Sequence, residues 1–139
     1  MRCYCEFCRK TSGSGGYGIN IMAEAESLVV EGEKHLVYHH GFEHDAVSDE
    51  LVENENRRYF CGLCGSALWA ADPRWARWIY PYATSVDTPL PRPPEIVHIM
   101  LEFAAPWVEV PAGAGHRHFP RYPDESIEQW HRRHGLYQD

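Results

Sequence analysis

Five cysteines carry the most distinctive chemistry of this chain, and they fall into two tight groups: Cys3, Cys5 and Cys8, then Cys61 and Cys64. An odd number of clustered cysteines is not the even, dispersed pattern of a secreted disulfide scaffold. Thiols two or three residues apart in a reducing compartment serve as metal ligands or as redox and structural thiols, and this spacing favours metal. In Cys3-Tyr4-Cys5-Glu6-Phe7-Cys8, an extended Cys3–Cys5 places both side chains on one face. A turn after Cys5 then brings Cys8 round to the same point. Three thiolates at zinc–sulfur distances of about 2.3 Å leave one tetrahedral position open unless a distant residue fills it, as in catalytic rather than closed structural zinc sites. Phe60-Cys61-Gly62-Leu63-Cys64-Gly65 has the form of a zinc knuckle, whose glycines let backbone amides curl towards sulfur. A redox dithiol is the competing reading. Such a motif normally opens a helix that depresses the thiol pKa, whereas Ser66-Ala67-Leu68-Trp69 continues as a strand.

The elements that must position these thiols are mostly short strands. Strand patterns occur at Tyr17–Met22, Leu28–Val30, His35–His39, Arg57–Phe60 running into Cys61, Ser66–Trp69 as a hairpin return arm, Trp78–Tyr80 and Ile96–Leu101. His35–His39 is expected to pair with Leu28–Val30 across the Glu31–Glu33 turn. Thr11–Gly16 is a flexible turn, Phe42–Asn56 an acidic solvated excursion, and Pro89–Pro94 a connector that no central strand tolerates. One late helix is expected, with Asp124 as N-cap, Ile127 and Trp130 on one face and Gly135 as its stop. The pattern predicts a mainly β, chiefly antiparallel fold with a short C-terminal helix, as a single zinc-binding domain over residues 1–139.

Thirteen Lys and Arg against twenty Asp and Glu leave a net charge of −7. That balance argues against a surface devoted to nucleic acid or anionic membrane. No apolar run approaches the roughly 20 residues of a membrane span, and Met1-Arg2-Cys3 does not open a secretory signal. A soluble, cytoplasmic protein is expected. Arg9 and Lys10, beside the triplet, suit the carboxylates of an anionic cosubstrate, while Ser12 and Gly13 offer a hydroxyl and backbone donors; solvated cations and a plain turn are the plainer readings. Among nine histidines, His39, His40, His44, His116 and His118 are candidate ligands, and His131 and His134 suit the C-terminal end of the helix. Trp69, Trp75, Trp78 and Trp107 are expected in or near the core.

Cys3-Tyr4-Cys5-Glu6-Phe7-Cys8-Arg9-Lys10-Thr11-Ser12-Gly13, with Arg58-Tyr59-Phe60-Cys61-Gly62-Leu63-Cys64-Gly65-Ser66-Ala67-Leu68, resembles the glutathione-dependent formaldehyde-activating enzyme family, which also contains centromere protein V. Ala105-Pro106-Trp107-Val108 and Phe119-Pro120-Arg121-Tyr122-Pro123 are similar to that family's C-terminal pattern. The resemblance implies an Mss4-like fold of antiparallel sheets around zinc. It also implies S-(hydroxymethyl)glutathione chemistry from formaldehyde and glutathione, a carbon–sulfur lyase activity in the reverse sense. It makes Cys3, Cys5 and Cys8 the catalytic-type site, and Cys61 and Cys64 half of a structural four-cysteine site. The family's other half, a Gly-x-Cys-x-Cys-Gly strand, has no counterpart here: seven thiolates are called for and the sequence has five. Three accounts stand open: a natural start upstream of Met1, a merged site such as Cys5, Cys8, Cys61 and Cys64, or histidines completing one or both sites.

The resulting expectation is a zinc-dependent lyase or synthase handling the thiol adduct of a small aldehyde. Cys3, Cys5, Cys8, Cys61 and Cys64 are its metal ligands, the first three at the catalytic centre, and Arg9, Lys10 and Ser12 hold a small-molecule thiol such as glutathione. A non-catalytic zinc-binding interaction module and a redox dithiol protein are the alternatives.

Overall fold

The first cysteine group sits where a strand hands over to a helix. The computed structural model describes residues 1–12 and 15–138, so Gly13 and Ser14 of the expected turn lie outside the described residues. In chain order the elements are β1 (Arg2–Cys3), α1 (Glu6–Ser12), β2 (Gly18–Ile19), β3 (Ala23–Glu24), β4 (Leu36–His44), β5 (Leu51–Cys61), β6 (Ala67–Ala71), β7 (Trp78–Pro81), β8 (Ile96–Ile99), β9 (His116–His118) and α2 (Ile127–Arg133). They divide between two compact units, Met1–Asn20 with Asp87–Asp139, and Ile21–Val86. The fold is mainly β, with two sheets and a short C-terminal helix.

The first unit holds a four-stranded sheet in the order β2-β1-β8-β9. β1 is antiparallel to β2 but parallel to β8, and β9 is parallel to β8. The parallel pairs arise because long segments, the Pro89–Pro94 connector among them, separate the partners in sequence. Ile96-Val97-His98-Ile99 is rich in β-branched residues and largely buried. It stops because Met100 turns left-handed at φ 60° into a 3₁₀ turn at Leu101–Phe103. Cys3, Cys8, Val97, Ile99 and Trp130 form the buried core, with Met1, Cys5, Met100 and Phe119 packed on it.

Trp130 brings α2 into that core. Its indole Nε1 donates to Glu95 at 3.1 Å, and Arg133 reaches Glu95 and Glu125 at 2.6 Å each. The helix begins at Ser126, whose hydroxyl accepts from Gln129 N while the Gln129 side chain accepts from Ser126 N. The expected cap, Asp124, instead receives Arg117 at 2.7 Å. Ser126 outcompetes it because a Gln three residues later completes the reciprocal pair. Gly135, at φ 66°, ends the helix as expected.

The second unit is a five-stranded sheet, β3-β7-β6-β5-β4, antiparallel throughout. The acidic segment read as a solvated excursion is regular structure. β4 runs on to His44 and β5 starts at Leu51, so the two pair from Leu36↔Cys61 to His44↔Leu51 around a bulge at Gly41. Asp45 closes the tip by accepting Val47 N at 3.0 Å and Ser48 N at 2.8 Å. Backbone pairing thus overrides the weak β propensity of Glu and Asn on an arm wetted on both faces.

Leu28–Val30 is not a strand. Leu28 closes a 3₁₀ turn and Val29 is 84% exposed, so His35–His39 takes β5 as its partner instead. Two tryptophans also leave the core: Trp75 lies under Arg74 in an exposed 3₁₀ turn, and Trp107 is exposed after Pro106. Buried in the second unit are Ala70, Ile79, the fully buried Tyr82 and the carboxylate of Asp72.

Candidate metal centre

Cys3 is held by backbone pairing on both sides, to Gly18 of β2 and Ile99 of β8. Tyr4 N extends this ladder to Ile99 O at 3.0 Å. Cys5 follows, and the first turn of α1 wraps back over it: Arg9 N bonds Cys5 O at 3.0 Å and Cys8 N donates to Cys5 Sγ at 3.4 Å. The expected turn after Cys5 is therefore the start of a helix. Its acidic first turn (Glu6) and basic last turn (Arg9, Lys10) suit the helix dipole. The ligand atoms of Cys3, Cys5 and Cys8 all lie within 4.8 Å of one another, with Cys3 and Cys8 buried and Cys5 half-buried.

This crowding sets the acidity of the thiols. Hydrogen bonding to Cys5 and Cys8, then burial, hold Cys3 well above the ordinary thiol range. The bond with Cys3 favours ionisation of Cys5, but Cys8 and burial outweigh it and push Cys5 up to about 11. Negative charge placed on one sulfur repels charge on the next, so the group ionises readily only around a cation. The donor set fits a thiophilic divalent ion with a coordination position to spare.

The neighbouring residues differ in readiness. Arg9 Nε is buried with no hydrogen-bond partner among the described residues, an arrangement that favours an incoming acceptor. Lys10 is mostly exposed and lies 3.6 Å from Glu6 one turn earlier. Ser12 Oγ donates to Cys8 O at 3.3 Å, within its own helix.

Cys61 and Cys64 belong to the second unit, at the turn from β5 to β6. Gly65 N bonds Cys61 O at 2.8 Å, and Gly65 takes the left-handed φ of 75° that the knuckle requires. Ser66 Oγ lies 3.1 Å from Cys64 Sγ and is the main cause of a lowered Cys64 pKa. The return arm after the knuckle is β6, as the sequence indicates.

His116 and His118 share a face, as their spacing predicts, but their partner is another ring. His98 stacks on His118 with centroids 4.8 Å apart and lies 2.8 Å from His116 Nδ1 through Nε2. His98, legible in the sequence only as part of a strand, is fully buried and bonds Tyr4 Oη at 2.8 Å. A lone histidine inside Ile-Val-His-Ile was the available signal, since a buried imidazole must find partners. His39 packs on Phe60, His40 on Tyr38, and His44 Nδ1 lies 3.0 Å from Asp49 O. His134 occupies the C-cap of α2, and His131 bonds Ile127 O within it.

Fold and site together define a mainly β protein with a buried thiol triad able to hold a metal ion. Residues 1–101 match the family described as glutathione-dependent formaldehyde-activating enzyme. A protein of Halomonas elongata named "Putative glutathione-dependent formaldehyde-activating enzyme" is 48% identical over 135 residues, spanning 97% of this chain and 82% of the relative. The chain belongs to the glutathione-dependent formaldehyde-activating enzyme family. No helix among the described residues is long and apolar enough to cross a membrane.

Proposed function

We propose that this chain is a zinc-dependent carbon–sulfur lyase or synthase of the cytoplasm, acting on the adduct of a small-molecule thiol such as glutathione with formaldehyde. The observation that carries the reading is the convergence of three thiols within 4.8 Å at a strand-to-helix junction. Family membership and the name of the Halomonas relative support it. Cys3, Cys5 and Cys8 are the residues that would hold the zinc. When bound, the metal supplies a lowered pKa to a thiol beside it, so that thiolate is present at neutral pH.

The protein's own groups then bind and orient. Arg9, whose buried Nε has no hydrogen-bond partner among the described residues, receives a carboxylate of the thiol substrate. Lys10 adds positive potential at longer range, and Ser12 holds the last turn of α1 against Cys8 O. In the synthetic direction a carbon–sulfur bond forms between the thiol sulfur and the aldehyde carbon, the carbonyl π pair moves to oxygen, and the thiol's proton ends on that oxygen. The lyase direction reverses each change. Cys61 and Cys64 are further metal ligands in this reading, within one zinc-binding domain spanning 1–139.

Exchange NMR of formaldehyde–glutathione mixtures tests the proposal. Zinc-loaded protein is expected to accelerate exchange and Cys5→Ser to abolish the acceleration; equal rates with and without the protein overturn the reading. The exposed knuckle tip, Leu63 and Cys64, favours a second reading as a non-catalytic zinc module. Retained zinc with unaccelerated exchange selects it.

A further inference from the structure

Behind the thiol triad stands a hydrogen-bonded file of side chains that the proposed chemistry does not use. Tyr4 lies between Cys3 and Cys5, and its side chain meets His98, whose register partner Arg2 points to the sheet face opposite that of Cys3. Tyr4 is fully buried, and its hydroxyl is tied to His98, itself fully buried, at 2.8 Å. His98 Nε2 is 2.8 Å from His116 Nδ1, and His118, stacked on His98, is tied through Nε2 to Pro111 O at 2.8 Å.

We propose that Tyr4, braced by His98 and His116, is a positioning residue that fixes Cys3 and Cys5 in their metal-binding orientation. The inference rests on the reading of the triad as the metal site. The direction of the file follows from its partners. The Tyr4 hydroxyl is fully buried, His98 Nδ1 is its side-chain partner, and a buried O–H must find an acceptor. The Tyr4 O–H therefore donates to His98 Nδ1, His98 carries its proton on Nε2, and that N–H donates to His116 Nδ1. Each donor meets an acceptor without any charged ring, in keeping with a buried His98.

The mechanical consequence is a peg anchored at both ends. Tyr4 N is bonded to Ile99 O and its phenol tip to His98, which stands on the same strand as Ile99. Rotation of the Cys3–Cys5 segment, which would swing both sulfurs apart, breaks one of those two ties. Partners behind metal ligands of this kind typically tune affinity by about 10–100-fold.

Cobalt(II) titration tests the inference, since thiolate–cobalt charge-transfer and visible d–d bands report coordination geometry without any turnover. Tyr4→Phe is expected to shift the d–d envelope and weaken cobalt affinity by about 10–100-fold. His98→Asn, whose Oδ1 can accept the Tyr4 hydroxyl where Nδ1 stood, is expected to keep the wild-type spectrum. Should Tyr4→Phe not fold, His98→Leu, which keeps the phenol and removes its acceptor, is read in the same way. A wild-type spectrum and affinity in the variant lacking the bond overturns the brace, as does an equal change in His98→Asn, which marks general core damage. Wild-type protein that takes up no cobalt removes the metal reading itself, and the brace with it.

Discussion

Gly18 pairs with Cys3 across the β1–β2 ladder and leaves bare backbone where Cys8 packs: a Cβ there would stand 3.1 Å from Cys8 Cβ and 2.8 Å from Ser12 Oγ. One glycine therefore sets the spacing of two triad members. Gly18→Val is expected to push α1 outward, destabilise the protein by about 1–3 kcal/mol and weaken metal binding by about tenfold. Urea denaturation and a chelator competition on the same sample check both numbers; an unchanged metal affinity would show that α1 does not need this close approach.

Metal uptake is expected to depend steeply on pH. The Cys5 thiol stands at about 11 and that of Cys3 is raised well above its ordinary value, so both are protonated at neutral pH and lose their protons on binding. At least two protons released per ion mean that apparent affinity rises by at least about a hundredfold per pH unit below those values. Competition with a chromophoric chelator at about pH 6.5 and 7.5 measures the slope. An affinity independent of pH would remove these thiols from the ligand set.

His98 makes the fold sensitive to mild acid. Burial first, then the neighbouring His118, hold its pKa down at about 4, against 6.5 for an unperturbed imidazole. The unfolded chain then binds the proton more readily, so stability is full above about pH 6.5 and is lost as pH falls towards 4. Between about pH 7.5 and 5 the loss is about 2 kcal/mol. Denaturant midpoints at the two pH values read it directly, and His98→Asn is expected to flatten the difference.

In the second unit Asp72 is the buried charge to remove. Burial works against its ionisation, but Arg74 outweighs this, donating from Nη2 at 2.7 Å and from Nε and backbone N at 2.9 Å each, and the pKa is lowered. Asp72→Ala is expected to destabilise by about 2 kcal/mol, or about 8 °C in Tm, by calorimetry. An unchanged Tm would mean that Arg74 finds full compensation in Glu43.

The thiol triad was legible because it is local: three cysteines within six residues converge under almost any strand-to-turn geometry. The hairpin through Cys61–Cys64 was legible for the same reason, since a glycine-containing turn between two apolar runs leaves few alternatives. Three features were hidden by physics that acts at a distance. His98 acquires its partner from Tyr4, 94 residues earlier, and nothing near Ile96–Ile99 announces that bond. The β4–β5 arm lacks an apolar stripe because water meets both of its faces, so no period-two signal exists to read. The Asp45-x-x-Ser48 tip was its one local mark. α1 escaped notice because its buried residue, Cys8, reads as a ligand before it reads as one side of a seven-residue helix. In α2 the reciprocal Ser126–Gln129 pair lay in plain sight behind a more conspicuous Asp-after-Pro.

Zinc content of a Cys61→Ser/Cys64→Ser double variant, purified without chelators and measured by elemental mass spectrometry, isolates the triad. About one equivalent of zinc, displaced only slowly by a chelator, is the result expected of Cys3, Cys5 and Cys8 acting together. Less than about half an equivalent in a folded double variant contradicts the account at its root.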